Sequence, residues 1–239
     1  FSVALFVAAV ISKAEVKMPS VFCDNMVIQR DTKAAIWGKA APGTKVFGKA
    51  SWSARTFGAE AAADSIFEVK IPVRNCIKGH PAQTIKLFNE TGTFSYDNIL
   101  IGDVWVLGGQ SNMGISLCDA VNGKEEAANA DFPMIRYYHI SLHEVDAPVY
   151  EWADHTPKWL PVTPDVADWM SAIGFYFAKT VYEKTQVPLG VINTCMGGTT
   201  IQSMMDPKVV FGDERLAEVF GEPFEKYSRF YRTGGMFNS

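Results

Sequence analysis

The run Ile99-Leu100-Ile101-Gly102-Asp103-Val104-Trp105-Val106-Leu107, followed at once by Gly108-Gly109-Gln110-Ser111, limits the fold of this chain more than any other stretch. It is nearly continuous in apolar residues. A strand with one wet face would alternate, whereas a strand of an α/β sheet is covered on both faces and reads as an unbroken apolar run. The chain is therefore expected to contain an α/β sheet, with Ser111 at the carboxyl end of a central strand, where such enzymes place their sites. A serine hydroxyl is a weak nucleophile unless a base takes its proton, and a sharp strand-to-helix turn is a recurring way to present it. The lipase-type elbow Gly-x-Ser-x-Gly would need glycine where Met113 stands, so that type is disfavoured.

A second unit of the same kind follows. Residues 171–184 have helical length and spacing, Pro188 stops the helix, and Leu189-Gly190-Val191-Ile192 is a second apolar run. Strand, crossover, helix and strand make a parallel pair. Residues 118–168, rich in Pro, Asp and Trp, read as a long insertion over the carboxyl end of the sheet. The second strand runs into Asn193-Thr194-Cys195-Met196-Gly197-Gly198-Thr199, again a glycine turn at a strand's carboxyl end. In a parallel sheet the two turns can lie together, and the backbone N–H groups of Gly198 and Ser111 can then point at one oxyanion. Read alone, Gly-Gly-Thr is first of all a helix start capped by Thr199.

From Met18 to Tyr96 short β-type runs alternate with turn residues, as in Ala34–Gly38, Thr44–Phe47, Phe67–Ile71 and Thr84–Phe88. That spacing predicts a small antiparallel sandwich over 15–97, with the boundary near Asp97 and an α/β unit over 98–239. Gly38–Lys45 looks like a phosphate loop but lacks the Lys-Ser/Thr pair, and reads as a turn between strands. Within residues 1–14, Phe1–Ile11 form an uncharged apolar stretch, and Ser12-Lys13-Ala14 place small residues before a cleavage position after Ala14. They read as a signal-peptide remnant, implying an exported protein (secreted, periplasmic or lysosomal); the alternative is a buried first strand.

The net charge of −4, without a basic run, excludes a phosphate-binding surface of the nucleic-acid type. Cys23, Cys76, Cys118 and Cys195 show no CxxC spacing, so neither a metal site nor thioredoxin-like chemistry is expected; up to two disulfides or four buried thiols both fit.

Taken in order, Asp24–Arg30, Trp37-Gly38, Ile101–Trp105, Gly109-Gln110-Ser111-Asn112-Met113, Ser171–Phe177 and Gly197–Ile201 resemble the sialate O-acetylesterases. The resemblance runs over about residues 18–205. It implies a flavodoxin-like SGNH hydrolase domain, incomplete here and preceded by the sandwich as an accessory domain. It also implies Ser111 as nucleophile and Gly198 with Ser111 as oxyanion hole, without metal or organic cofactor. Gln110, Asn112, Gly197 and Thr199 are the expected substrate neighbours, and the substrate is an acetylated sugar, sialic acid or another glycan such as xylan. The family pattern also has a Gly-Glu-Ser-Asn-like segment and an Asp-x-x-His or Asp-x-His base, and neither occurs here. Among His80, His139, His143 and His155 none has that spacing, although Asp154 precedes His155, so the base is expected beyond Ser239. The 239-residue chain alone is then expected to be inactive and to associate through the edge of a sheet cut after its second strand. The competing reading is a non-catalytic module holding sugar by stacking on Trp152, Trp159 and Trp169.

Overall fold

The computed structural model describes residues 15–75, 79–140, 157–198 and 206–219. Its strands are β1 (Val27–Gln29), β2 (Thr32–Lys39), β3 (Lys45–Ala50), β4 (Thr56–Glu60), β5 (Ile66–Val73), β6 (Gln83–Phe88), β7 (Thr93–Leu107), β8 (Phe132–His139), β9 (Trp159–Val162) and β10 (Leu189–Asn193). The helices are α1 (Ser111–Gly114), α2 (Gly123–Ala128), α3 (Pro164–Trp169), α4 (Ala172–Thr185) and α5 (Pro207–Gly212). One mixed sheet runs β4-β3-β6-β7-β10-β8-β9, with β1 added in parallel to β7, and β2 and β5 form a separate antiparallel pair.

The strand β7 joins the two halves of the chain. Its first part pairs antiparallel with β6, Phe94 opposite Leu87, and its last part pairs parallel with β10, Val106 opposite Ile192. It passes without a break through Asp97, where the sequence changes character; only Asn98 departs, with φ of 54°. The antiparallel half does have two packed layers. A Cβ on Gly48 of β3 would come within 2.9 Å of Val69 and 3.3 Å of Ile71 on β5. Its larger layer is nonetheless the same hydrogen-bonded sheet as the parallel part.

Alternation along the parallel strands divides the interior into two cores. On β8 and β10, Ile135, Tyr137, Leu189 and Val191 face one core with Phe175 and Ala178 of α4. Tyr138 and Ile192 face the other, shared with Ile36, Val69, Ile85 and Ile99 of the antiparallel layers. Burial on both faces, the basis of the α/β reading, comes from helices on one side and a β layer on the other. At about 1.5–3 kcal/mol for each large side chain fully buried, this two-sided packing is what holds the parallel strands in place.

The helix expected over 171–184 is α4, and its ends follow local chemistry. Ser171 accepts the Gly174 N–H at 3.1 Å as N-cap, and Gln186 in the left-handed region donates its N–H to Tyr182 O before Pro188 breaks the chain. The phosphate-loop lookalike is the β2–β3 turn.

Two expectations need correction. Residues 118–168 are not simply an insertion: they contain a third parallel strand, β8, in register with β10 (Tyr137 opposite Val191), edged by β9. Pro133 and Arg136 interrupt the apolar run of β8 and hide it in the sequence, while Arg136 is itself buried, reaching Asn25 Oδ1 at 3.2 Å. It follows that β10 is paired on both sides, and among the described residues the strand at this edge of the sheet is β9. Nor is β7 covered along its whole length. Ile99, Leu100 and Ile101 are buried, but Trp105 and Val106 are 47% and 48% exposed, because α4 reaches only the edge of this segment, Phe177 meeting Trp105 edge-on at 5.0 Å. Residues 1–14, Cys76, His143, Trp152, His155 and Thr199 lie outside the described residues.

Candidate functional site

The carboxyl ends of β7 and β10 lie side by side, and their hydrogen bonding continues past the strands. Thr194 donates its N–H (2.9 Å) and its hydroxyl (3.1 Å) to Leu107 O, and Met196 N–H donates to Gly109 O at 3.0 Å. These bonds tie the Gly108–Ser111 turn to the Cys195–Gly198 turn directly. Ser111 opens α1, is exposed, and its Oγ has no hydrogen-bond partner among the described residues. A Cβ placed on Gly197 would stand 3.2 Å from Ser111 Oγ, so the absence of a side chain there leaves space over the hydroxyl. Gly198 has φ of +77°, a left-handed conformation that suits glycine, and a Cβ there would meet nothing within 4 Å. Gln110, Asn112, Gly197 and Gly198 are exposed beside Ser111.

Beneath the two turns lies a buried polar network that the sequence reading did not single out. Asn193, 3% exposed, donates its Nδ2 to Tyr137 OH at 2.6 Å and accepts the Cys195 N–H at 3.1 Å. The same Tyr137 oxygen accepts the Ser171 N–H at 3.3 Å, and burial pushes the phenol above its ordinary pKa, keeping it neutral. Ser171 Oγ contacts Met113 Sδ at 3.8 Å, and Ala172 N–H donates to Ile115 O at 2.8 Å. Three strands and α4 thereby fix the backbone on both sides of Ser111. An asparagine closing an apolar strand just before a glycine turn was the available signal; Tyr137 was hidden with β8.

Cys195 packs under this site, its Sγ 3.4 Å from where a Cβ on Gly114 would be, and burial raises its thiol pKa. It is unpaired, as are Cys23 and Cys118. Among the described residues no group of three His, Cys, Asp or Glu side chains is placed to hold a metal. His139 ends β8 with its ring stacked on Tyr137 at 6.3 Å and edge-on to Trp169 at 5.8 Å. Of the tryptophans weighed for sugar stacking, Trp159 is 2% exposed and its indole donates to Val21 O, a core role; Trp169 is 41% exposed.

Known proteins share this arrangement of chain. The sialate O-acetylesterase of Homo sapiens is 26% identical over 197 residues, 75% of this chain and 37% of its own length. That of Mus musculus is 24% identical over 243 residues, 93% of this chain and 43% of its own. The crystal structure of a carbohydrate acetylesterase from Xanthomonas citri superimposes with a TM-score of 0.73 at 26% identity, covering 84% of this chain and 45% of that one. The chain is similar in sequence to the sialate O-acetylesterases. No family model matches it. It spans about two-fifths of the length of these curated relatives. The fold shared with the Xanthomonas citri enzyme is the mixed sheet with its parallel core.

Proposed function

We propose that the protein is a carbohydrate O-acetylesterase with Ser111 as its nucleophile. The observation that carries this reading is the Ser111 hydroxyl, exposed at the end of a parallel strand and facing a side-chain-free turn tied to its own by the Met196–Gly109 bond. In the proposed reaction Ser111 Oγ bonds to the acetyl carbonyl carbon as its proton passes to a base. The carbonyl oxygen takes the negative charge and is held by the N–H groups of Ser111 and Gly198. The sugar oxygen then leaves with a proton, and water splits the acetyl-serine to acetate. The base is assigned to a group outside the described residues, since none of those described bonds to Ser111 Oγ.

The similar proteins, a sialate O-acetylesterase and a carbohydrate acetylesterase, speak for acetyl groups on sugars, and sialic acid is the first substrate to test, with acetylated xylan as the alternative glycan. The apolar segment at residues 1–14 supports an exported protein, which N-terminal sequencing of the mature form checks. The deciding experiment compares the whole protein with its Ser111→Ala variant on O-acetylated sialic acid and on 4-nitrophenyl acetate. Acetate release should vanish in the variant while the melting temperature stays nearly constant, because an exposed serine contributes little to packing. Activity surviving in Ser111→Ala removes the nucleophile assignment.

A further inference from the structure

At the other end of the sheet, the β3–β4 turn and the end of β5 enclose a cleft of about 660 Å³, floored by Ile101 of β7. Its walls carry two kinds of group. Trp52 and Phe57 supply aromatic faces, and the Trp52 indole N–H is held by Pro72 O at 3.0 Å, which fixes the ring. Arg55 and Arg74 supply two exposed guanidinium groups with no ion-pair or side-chain hydrogen-bond partner among the described residues. Arg30 nearby shows what a structural arginine looks like here. It makes a two-pronged pair with Asp103, at 2.8 Å and 3.0 Å, and also donates to Asn75 Oδ1 at 3.3 Å, fixing Asn75 on the cleft wall. Two unneutralised arginines in one cleft of a chain with net charge −4 are not required by the fold.

We infer that this cleft binds a saccharide bearing a carboxylate, such as a sialic or uronic acid. A pyranose ring offers a C–H face that stacks on a fixed indole, and a guanidinium meets a carboxylate through two parallel N–H donors. The volume is within the ordinary range for small-ligand sites and exceeds what a bare ion needs. From Ile101 to Leu107 the strand runs six residues, about 20 Å at ~3.3 Å per residue, so the cleft is remote from Ser111. It would retain an acidic glycan while the ester end is worked on elsewhere, but binding itself does not depend on the proposed chemistry.

The test is calorimetric titration of the whole protein carrying Ser111→Ala, so that nothing turns over, with N-acetylneuraminic acid, D-glucuronate, D-glucose and inorganic phosphate. Saturable binding of the two acidic sugars, weakened at least tenfold by Arg55→Gln with Arg74→Gln and also weakened by Trp52→Ala, supports the inference. Trp52→Phe, which keeps an aromatic face, should restore most of the affinity and show that the loss is not misfolding. Equal affinity for glucose and glucuronate, an unchanged affinity in the double arginine variant, or phosphate binding as tightly as glucuronate would overturn it. Because acetate release is not read here, its loss or retention in the unsubstituted protein judges the esterase reading separately.

Discussion

Gly197→Ala separates the proposed role of the second turn from its role in the fold. A Cβ at this position would sit 3.2 Å from Ser111 Oγ, 3.9 Å from its Cα and 4.0 Å from its Cβ. The Gly197 backbone is outside the left-handed region, so alanine is tolerated conformationally and limits the unfolded chain, an effect of about 0.4–1 kcal/mol in favour of folding. The one tight contact is to a rotatable hydroxyl at the surface and offsets part of that gain. Stability should therefore stay within about 1 kcal/mol of the parent in urea unfolding. Activity should not, because the methyl group occupies the space through which an acetyl carbonyl must approach Oγ to about 3 Å, and misplacement on this scale costs on the order of 100-fold, or about 2.7 kcal/mol. Gly198→Ala is the contrast: nothing crowds its Cβ, but φ of +77° strains alanine by about 1–2 kcal/mol, so stability falls. The assay is acetate release from O-acetylated sialic acid by the whole protein, normalised to folded fraction. A Gly197→Ala variant turning over at the parent rate would refute the placement of substrate between the two turns.

Three further outcomes follow from the packing. Asn193→Ala strands the Cys195 N–H and takes the amide from Tyr137 OH, so it should cost about 1–3 kcal/mol in urea unfolding and speed hydrogen exchange at Cys195 and Met196. The Lys179–Glu126 hydrogen bond raises the lysine pKa above its ordinary 10.5. That contribution is whole below pH 10.5 and disappears as pH climbs through the raised value, so Glu126→Gln should cost about 0.5 kcal/mol at neutral pH and nothing in strong alkali. Burial keeps the Cys195 thiol protonated, so iodoacetamide should modify it far more slowly at pH 8 than in urea, as followed by mass spectrometry.

The parts of this fold that were legible in the sequence are those where one local signal dominates. The apolar run ending at Leu107, the Ser171 cap with its helix, and the Leu189–Ile192 run each carry their own period or cap, and their parallel pairing follows from connection length. The strand β8 was not legible because its buried residues include Arg136, Tyr137 and Tyr138, whose polar atoms find partners only in tertiary structure, at Asn25, Asn193 and Ser20. The continuity of β7 was hidden for a related reason: Asp97 and Asn98 look like a boundary, yet they are held by the far N-terminal segment, Asp24 Oδ1 accepting the Asp97 N–H and Asn25 Oδ1 the Asn98 amide. At the candidate site the glycines and Ser111 were visible as a motif, whereas the network that fixes them depends on the missed strand.

The central claim is that Ser111 carries the acetyl group, and the most direct measurement is rapid acid quenching of the whole protein with 4-nitrophenyl acetate, followed by peptide mass spectrometry. The account predicts an acetyl adduct on the peptide containing Gly109-Gln110-Ser111-Asn112-Met113, mapped to Ser111 and absent from Ser111→Ala. Turnover of the ester with acetyl found on another side chain, Cys195 included, would contradict it.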